Sequence, residues 1–329
     1  MMKKILMSGL IGMMVVSVVF QSVTYSALAA EKKYPSRPIE IVCGYPPGGA
    51  MDTTMRLWAK YLEKYLGVPI VPVNKPGAGA IIACTYIANA QPDGYTLGSV
   101  GDHLIINIIS GRAKYSLEDF QYVCLATYIA NTVAVVVDAP WKTMQEFAEY
   151  ARKNPGVKYG HPGIGSSAHI RTENLNKHAN LRMVSVPLNG DAELVPALLG
   201  KHIPIATLSA AAAKAQADAG KVQILMSFDS PKEIGLDPKI PDLQAVFGKS
   251  VPDVDIGSYL VVPRKTPEDV VKTLERTMEQ ITNDPEFRSD FRKVFMKVQF
   301  VDGATVMQKL IPEKMSRIQA IAKEAGLAK

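Results

Sequence analysis

Apolar and polar positions first fall into a regular pattern at residue 39. Ile39, Ile41, Val42 and Cys43 make the short apolar run that a parallel strand covered on both faces requires. Pro46-Pro47-Gly48-Gly49 ends the extended structure, and Met51, Met55, Trp58, Leu62, Tyr65 and Leu66 then recur at helical spacing. The same order repeats at once. Ile70 to Asn74 predicts a strand, Asn74 to Gly79 a second glycine turn and Ala80 to Ala90 a helix, before a turn at Gln91 to Gly94 and a strand over Tyr95 to Val100. This alternation opens a doubly wound α/β lobe. A short helix near Leu104 to Ile109 and strands near Gln121 to Thr127 and Thr132 to Val137 extend it.

Beyond Val137 the alternation restarts. Thr143 and Glu146 have capping-box spacing ahead of a helix to about Lys153, and Val157 to Tyr159 predicts a strand. A third glycine turn, His161 to Ser167, leads into a helix reaching about His178. Strands at Met183 to Val186, Ile203 to Leu208 and Val222 to Phe228 then alternate with a helix at Ala192 to Leu199 and an alanine-rich one ending at Ala219. Asp229 to Asp255 carries prolines and little regular signal, as functional or irregularly packed segments do. Tyr259 to Val262 returns to strand. Thr266-Pro267-Glu268-Asp269 predicts a long helix with proline at its first position, and Asp284-Pro285-Glu286 repeats the device. Apart from an extended piece at Val298 to Val301, the rest reads as helix. The expected organisation is therefore lobe one over residues 30–134 and 261–329 and lobe two over 135–260. Two crossings are what a hinged two-lobe receptor needs, since both linkers flex while the lobes move as rigid bodies.

The ends and the composition narrow the class. Lys3 and Lys4 precede an apolar stretch from Ile5 to Phe20, and Ala27-Leu28-Ala29 is a small-residue cleavage site, so residues 1–29 read as a secretory signal peptide. Cleavage removes two of 37 basic residues and none of 31 acidic ones, taking the net charge from +6 to +4. The excess is scattered, with no basic tract or aromatic platform of the kind that binds nucleic acid. The remaining chain exceeds what one compact core usually holds, which again favours two lobes. Cys43, Cys84 and Cys124 fall in predicted buried strands or a helix without metal-site spacing, and are expected to be core thiols.

Candidate chemistry sits in the glycine turns. At Tyr45 to Asp52 a strand end, glycines and a helix N-terminus make an anion cradle: Gly48, Gly49 and Ala50 offer backbone N–H groups, and the helix dipole favours negative charge. A tight βα loop needs the same glycines, so both readings stand on this stretch alone. Asp52 in the first turn satisfies free backbone donors and repels a highly charged anion such as a nucleotide phosphate. The turn at Gly163 to Ser167 lacks the G-x-S-x-G elbow of a hydrolase, and His169 lies in the same local helix rather than in an established base position. His161, His169 and His178 share no helical face and match no zinc pattern. His169 reads either as a ligand-facing donor or as a helix-surface residue. Asp102 and His103 follow a strand end, which suits both a crevice position and a loop cap.

Tyr34-Pro35-Ser36-Arg37-Pro38-Ile39, GYPPGGAMD, VNKPGAGA and AQPDGYTL, in this order and spacing, resemble the substrate-binding proteins of tripartite tricarboxylate transporters, the TctC or Bug family. YGHPGIGSSAHI, VPLNGDAELVPALLGKHI, the IPDL turn and VVPRKTPEDVV extend the similarity over nearly the whole chain after the leader. The resemblance implies an α/β, two-lobe, type II periplasmic binding protein that is not an enzyme and uses no cofactor or metal. It implies a monomer that closes on a small organic acid and hands it to the membrane permease subunits, with no nucleic acid partner. A subunit presenting its ligand to a membrane sensor kinase needs the same cleft and is the alternative. The implied ligand-binding residues are Tyr45, Gly48, Gly49, Ala50 and Asp52 in the first loop, Gly165, Ser166, Ser167 and His169 in the second, and Gly190 and Asp191 in a third contact region from Pro187 to Asp191. The family often has tyrosine and lysine where this chain has Leu188 and Asn189, and tryptophan then glycine where it has Gly257 and Tyr259. Ligand identity is therefore not transferable from a relative.

Overall fold

A computed structural model describes residues 34–251 and 257–324. The expected signal peptide and residues 252–256 of the proline-bearing stretch lie outside the described residues. The first unit of the chain pattern forms as expected. Strand β1 (Ile39–Cys43) runs through the Pro-Gly turn into helix α1 (Ala50–Leu66), which ends at Gly67 in the left-handed conformation that glycine tolerates. Met51, Met55, Trp58 and Leu62 are buried along one stripe, Trp58 completely, and a fully buried large apolar side chain is worth roughly 1.5–3 kcal/mol. Tyr61 belongs to that stripe, whereas Tyr65 points outward and donates to Asp284 Oδ2 at 3.0 Å.

The chain continues through β2 (Ile70–Asn74), a 3₁₀ turn at Ala78–Ala80, α2 (Ile81–Ala88), β3 (Thr96–Gly101), α3 (His103–Ile109), β4 (Phe120–Ile129) and β5 (Asn131–Val136). Next come α4 (Met144–Lys153), β6 (Lys158–His161), α5 (Ser167–His178), β7 (Val184–Pro187), α6 (Asp191–Leu199), β8 (Ile205–Ser209), α7 (Ala210–Asp218) and β9 (Val222–Ser227). After short helical turns at Pro231–Ile234 and Leu243–Phe247, the described chain resumes with β10 (Gly257–Pro263), α8 (Glu268–Asn283), α9 (Pro285–Lys293), β11 (Met296–Asp302) and α10 (Ile311–Glu324).

Two sheets result, with strand orders β11-β4-β10-β3-β1-β2 and β7-β6-β8-β5-β9. β1 is parallel to β2 and β3, and β6 is parallel to β7 and β8, as the βαβ pattern requires. β10 enters antiparallel between β3 and β4, and β5 enters antiparallel between β8 and β9. Sheet membership changes at Ala130, between β4 and β5, ahead of the expected boundary at 134/135. Each of Asn131 to Ala134 already has a partner in β8, so the backbone is committed to the second sheet from Asn131 onward. The return strand is likewise in the first sheet from Gly257, ahead of the expected boundary at 260/261.

Two local expectations are corrected by hydrogen bonding. The Thr143 side chain caps α4 by accepting from Glu146 N, but the Glu146 carboxylate reaches past the cap and accepts from Lys142 N at 2.6 Å. Pro267 is the N-cap of α8 rather than its first residue, because its carbonyl accepts from Val271 N and the helix starts at Glu268. Each sheet has its own apolar core: Leu104, Leu125 and Val261 lie in the first and Phe147, Leu175 and Leu225 in the second. Ile170 of α5 is buried in the first core, which ties the second sheet's helix to the first sheet's layer. Cys43, Cys84 and Cys124 are buried free thiols, and burial pushes the first two up to about 12. No helix among the described residues is long and apolar enough to cross a membrane.

Candidate ligand-binding cleft

One cleft collects the ends of both sheets. Its lining includes Tyr45, Pro46, Gly49, Ala50 and Met51 after β1, Gly101 to His103 after β3, and Pro162, Ser166 and Ser167 after β6. Asn189 to Ala192 after β7 and Ser209 at the end of β8 complete the walls, with Ile129, Asn131 and Gly257 at the crossings between sheets. All the helical contributions lie beyond strand carboxyl ends, where open α/β sheets leave backbone donors free. The space open to the centre of a water-sized sphere is about 50 Å³, several times the roughly 10–15 Å³ that one water needs.

Of the expected residues, Tyr45, Gly49, Ala50, Ser166, Ser167, Gly190 and Asp191 line this cleft. Gly48, Asp52, Gly165 and His169 do not; they build its supports. The Asp52 carboxylate turns back to accept from Gly48 N at 2.9 Å, Arg56 Nε at 3.0 Å and Asn74 Nδ2 at 2.8 Å. Burial alone would raise its pKa, but Arg56, the Gly48 amide and Asn74 outweigh burial and hold it below the usual carboxylate range. Asp52 therefore braces the first turn and leaves the α1 N-terminus without a side-chain cap. His169 Nδ1 accepts from Gly165 N at 3.1 Å, and its ring stacks on His161 at 4.1 Å between centroids. Burial, then the neighbouring His161 and Arg112, push His169 down to about 2, so it is neutral. The two histidines that share no helical face in the sequence meet because one ends β6 and the other lies in the first turn of α5.

The N-termini facing the cleft differ in their chemistry. Ser166 caps α5, its Oγ accepting from His169 N at 3.2 Å, and a hydroxyl that accepts this bond still has its own proton to donate. α1 and α6 have glycine N-caps, Gly49 and Gly190, and no side-chain cap. At Gly190, φ is 78°, a conformation that glycine adopts without strain. First-turn amides of α1 and α6 thus receive no bond from an N-cap side chain.

Of the remaining lining residues, Asp102 and His103 take the crevice position that their strand end allowed, whereas Asn131 and Ser209 carried no signal in the sequence. Asp102 is fully buried and accepts from Tyr259 Oη at 2.8 Å, Gly257 N at 3.1 Å and Lys314 Nζ at 2.9 Å. Gly257 and Tyr259, where the chain departs from its resemblance, thus hold Asp102 in place. His103 meets Tyr45 edge to face at 5.4 Å, and burial pushes its imidazole down to about 4. Asn131 and Ser209 are register partners on β5 and β8, a juxtaposition that only sheet pairing creates. Among the described residues no cluster of His, Cys, Asp and Glu could hold a metal ion.

A family model described as the tripartite tricarboxylate transporter family receptor, TctC, matches residues 54–327. A UPF0065 protein from the gbd 5′ region of Cupriavidus necator is 29% identical over 92% of this chain and 92% of its own. Among solved structures, a TctC solute binding protein from Polaromonas is 28% identical, with TM-score 0.66 over 88% of this chain and 99% of its own. The periplasmic binding protein BugD is 25% identical, with TM-score 0.79 over 90% of this chain and all (100%) of its own. The family model describes a receptor and both solved structures are binding proteins, not enzymes, with the two-lobe α/β fold.

Proposed function

The chain belongs to the tripartite tricarboxylate transporter receptor family, TctC, and from that premise we propose that it captures a small carboxylate-bearing organic acid in this cleft and delivers it to a tripartite tricarboxylate-type permease. It does so in the periplasm, as a monomer, with the first sheet and its helices forming one lobe and the second sheet the other. The observation that carries this reading is the pair of helix N-termini, α1 from one sheet and α6 from the other, that meet the same cleft without a side-chain cap. Ser166 and Ser167 add hydroxyl donors from the second wall.

Magnitudes are consistent with reversible capture. A charge-assisted hydrogen bond contributes roughly 1.5–3 kcal/mol, and a helix terminus adds up to about 1–2 kcal/mol. Three such bonds reach the roughly −8 kcal/mol of micromolar binding, and donors from the second wall offset the cost of ordering the ligand. Neutral donors hold a charge without consuming it, which suits release to a second protein. The test is a thermal-shift screen across aliphatic, hydroxylated and aromatic acids, since a binder raises the melting temperature by mass action. A stabilising acid that calorimetry shows to bind at one site supports the proposal; stabilisation by no acid, or chemical conversion of the acid, overturns it.

A further inference from the structure

Two acidic side chains line the cleft, and the chain balances the charge of one. Asp102 is paired with Lys314 and is also held by Tyr259 and Gly257. Asp191 has no such counter-charge. It is 8% exposed, its Oδ1 accepts from Ser209 N at 3.2 Å, and no lysine, arginine or histidine pairs with it among the described residues. Beside it on the same wall lies Asn131, the register partner of Ser209, which is 2% exposed and whose Oδ1 has no hydrogen-bond partner. A buried carboxylate without a positive partner and a buried amide oxygen without a donor are both costly, and the cost is removed when something outside the chain supplies the donor.

We propose that the acid held in this cleft also carries a protonated amine, and that Asp191 with Asn131 forms the subsite for that ammonium group. This inference rests on the reading of the cleft as a carboxylate site. The charges are then complementary: amides at α1 and hydroxyls at Ser166 and Ser167 are left to the carboxylate, and the oxygens of Asp191, in the first turn of α6, and of Asn131 are left to the ammonium. Burial pushes the Asp191 carboxyl above its ordinary value, with Ser209 pulling in the opposite direction, and an ammonium arriving there favours the charged form. A plain dicarboxylate would instead bring negative charge to Asp191 and would have to bind with uptake of a proton.

The experiment is isothermal titration of the whole protein with acids in matched pairs that differ only in one amino group, such as aspartate with succinate and glutamate with glutarate, together with shorter and aromatic pairs. The amino-bearing member is expected to bind about tenfold or more tightly than its partner. Asp191→Asn, which can still accept from Ser209 N, is expected to abolish that preference. Equal or tighter binding of the amino-free acids overturns the ammonium subsite and leaves the carboxylate reading intact. Binding of no member overturns both. Should Asp191→Asn fail to fold, Asn131→Leu serves instead: the Asn131 side chain makes no bond within the described residues, and its loss is expected to narrow the preference about threefold.

Discussion

A β-carbon on Gly79 would stand 2.9 Å from the carbonyl oxygen of Ile164. Gly79 belongs to the turn before α2 and Ile164 to the turn before α5, so the two halves of the molecule meet at a position that admits no side chain. Gly79 also has φ +65°, which costs a side-chain-bearing residue roughly 1–2 kcal/mol. Gly79→Ala is expected to prop the halves apart and to weaken ligand binding about tenfold, since the ligand must then supply the closing energy. Calorimetry gives the affinity, and small-angle scattering at saturating ligand should show a larger radius than wild type. Unchanged affinity and radius would mean that this contact does not govern closure.

Lys314 reaches Asp102 from helix α10, and the lysine side chain is 13% exposed while the aspartate is fully buried. Removing the lysine leaves a buried charge without its partner. Lys314→Met is expected to destabilise the fold by about 3 kcal/mol, and Lys314→Met combined with Asp102→Asn to recover most of that loss. Urea unfolding of the three proteins measures both changes. A single substitution as stable as wild type would remove the ion pair from the account of the cleft wall.

Ser166 and Ser167 separate two roles. Ser166 caps α5 through His169 N as well as lining the cleft, whereas Ser167 lines the cleft without that capping bond. Ser166→Ala is therefore expected to lower stability by about 1 kcal/mol and to weaken binding. Ser167→Ala is expected to weaken binding at unchanged stability, the loss being about tenfold for one charge-assisted hydrogen bond. A melt and a titration of each variant suffice, and an unaltered Kd in both would exclude the serine hydroxyls as ligand donors.

His103, His161 and His169 are neutral in the folded chain because burial pushes them down to about 4, about 4 and about 2. The unfolded chain takes up protons on these residues below their ordinary value of 6.5, and the folded chain does not until lower pH. Their contribution to stability is thus complete above pH 6.5 and is lost as pH falls toward 4. Near pH 5.5 the loss should be about 1 kcal/mol for each histidine. Urea midpoints measured across that window check the sign, and a midpoint independent of pH would show these imidazoles to be solvated.

How much of this was legible in the sequence depends on how far apart the interacting residues are. The turn from Tyr45 to Ala50, the pair Ser166-Ser167 and the pair Gly190-Asp191 could be placed at helix N-termini because glycine, serine and aspartate act on backbone within a few residues. The alternating strands and helices followed from hydrophobic spacing for the same reason. Asp52 and His169 show the limit of that reading. Both lie in the correct loops, but Asp52 turns toward Arg56 and Asn74, and His169 toward His161 and Gly165. Spacing locates a side chain on a helix; the direction of its polar atoms depends on what packs against it.

Sequence alone determined the two-sheet α/β order, the return of the chain to its first sheet and the glycine-lined ends of the helices, because hydrophobic period and turn chemistry act locally. Tertiary structure alone decided which acids on the cleft wall are balanced. Lys314 is 212 residues from Asp102, and Asn131 comes beside Ser209 only through the pairing of β5 with β8. Charge compensation falls steeply with distance in space and is indifferent to distance along the chain, so the contrast between a paired Asp102 and an unpaired Asp191 exists only in the folded molecule.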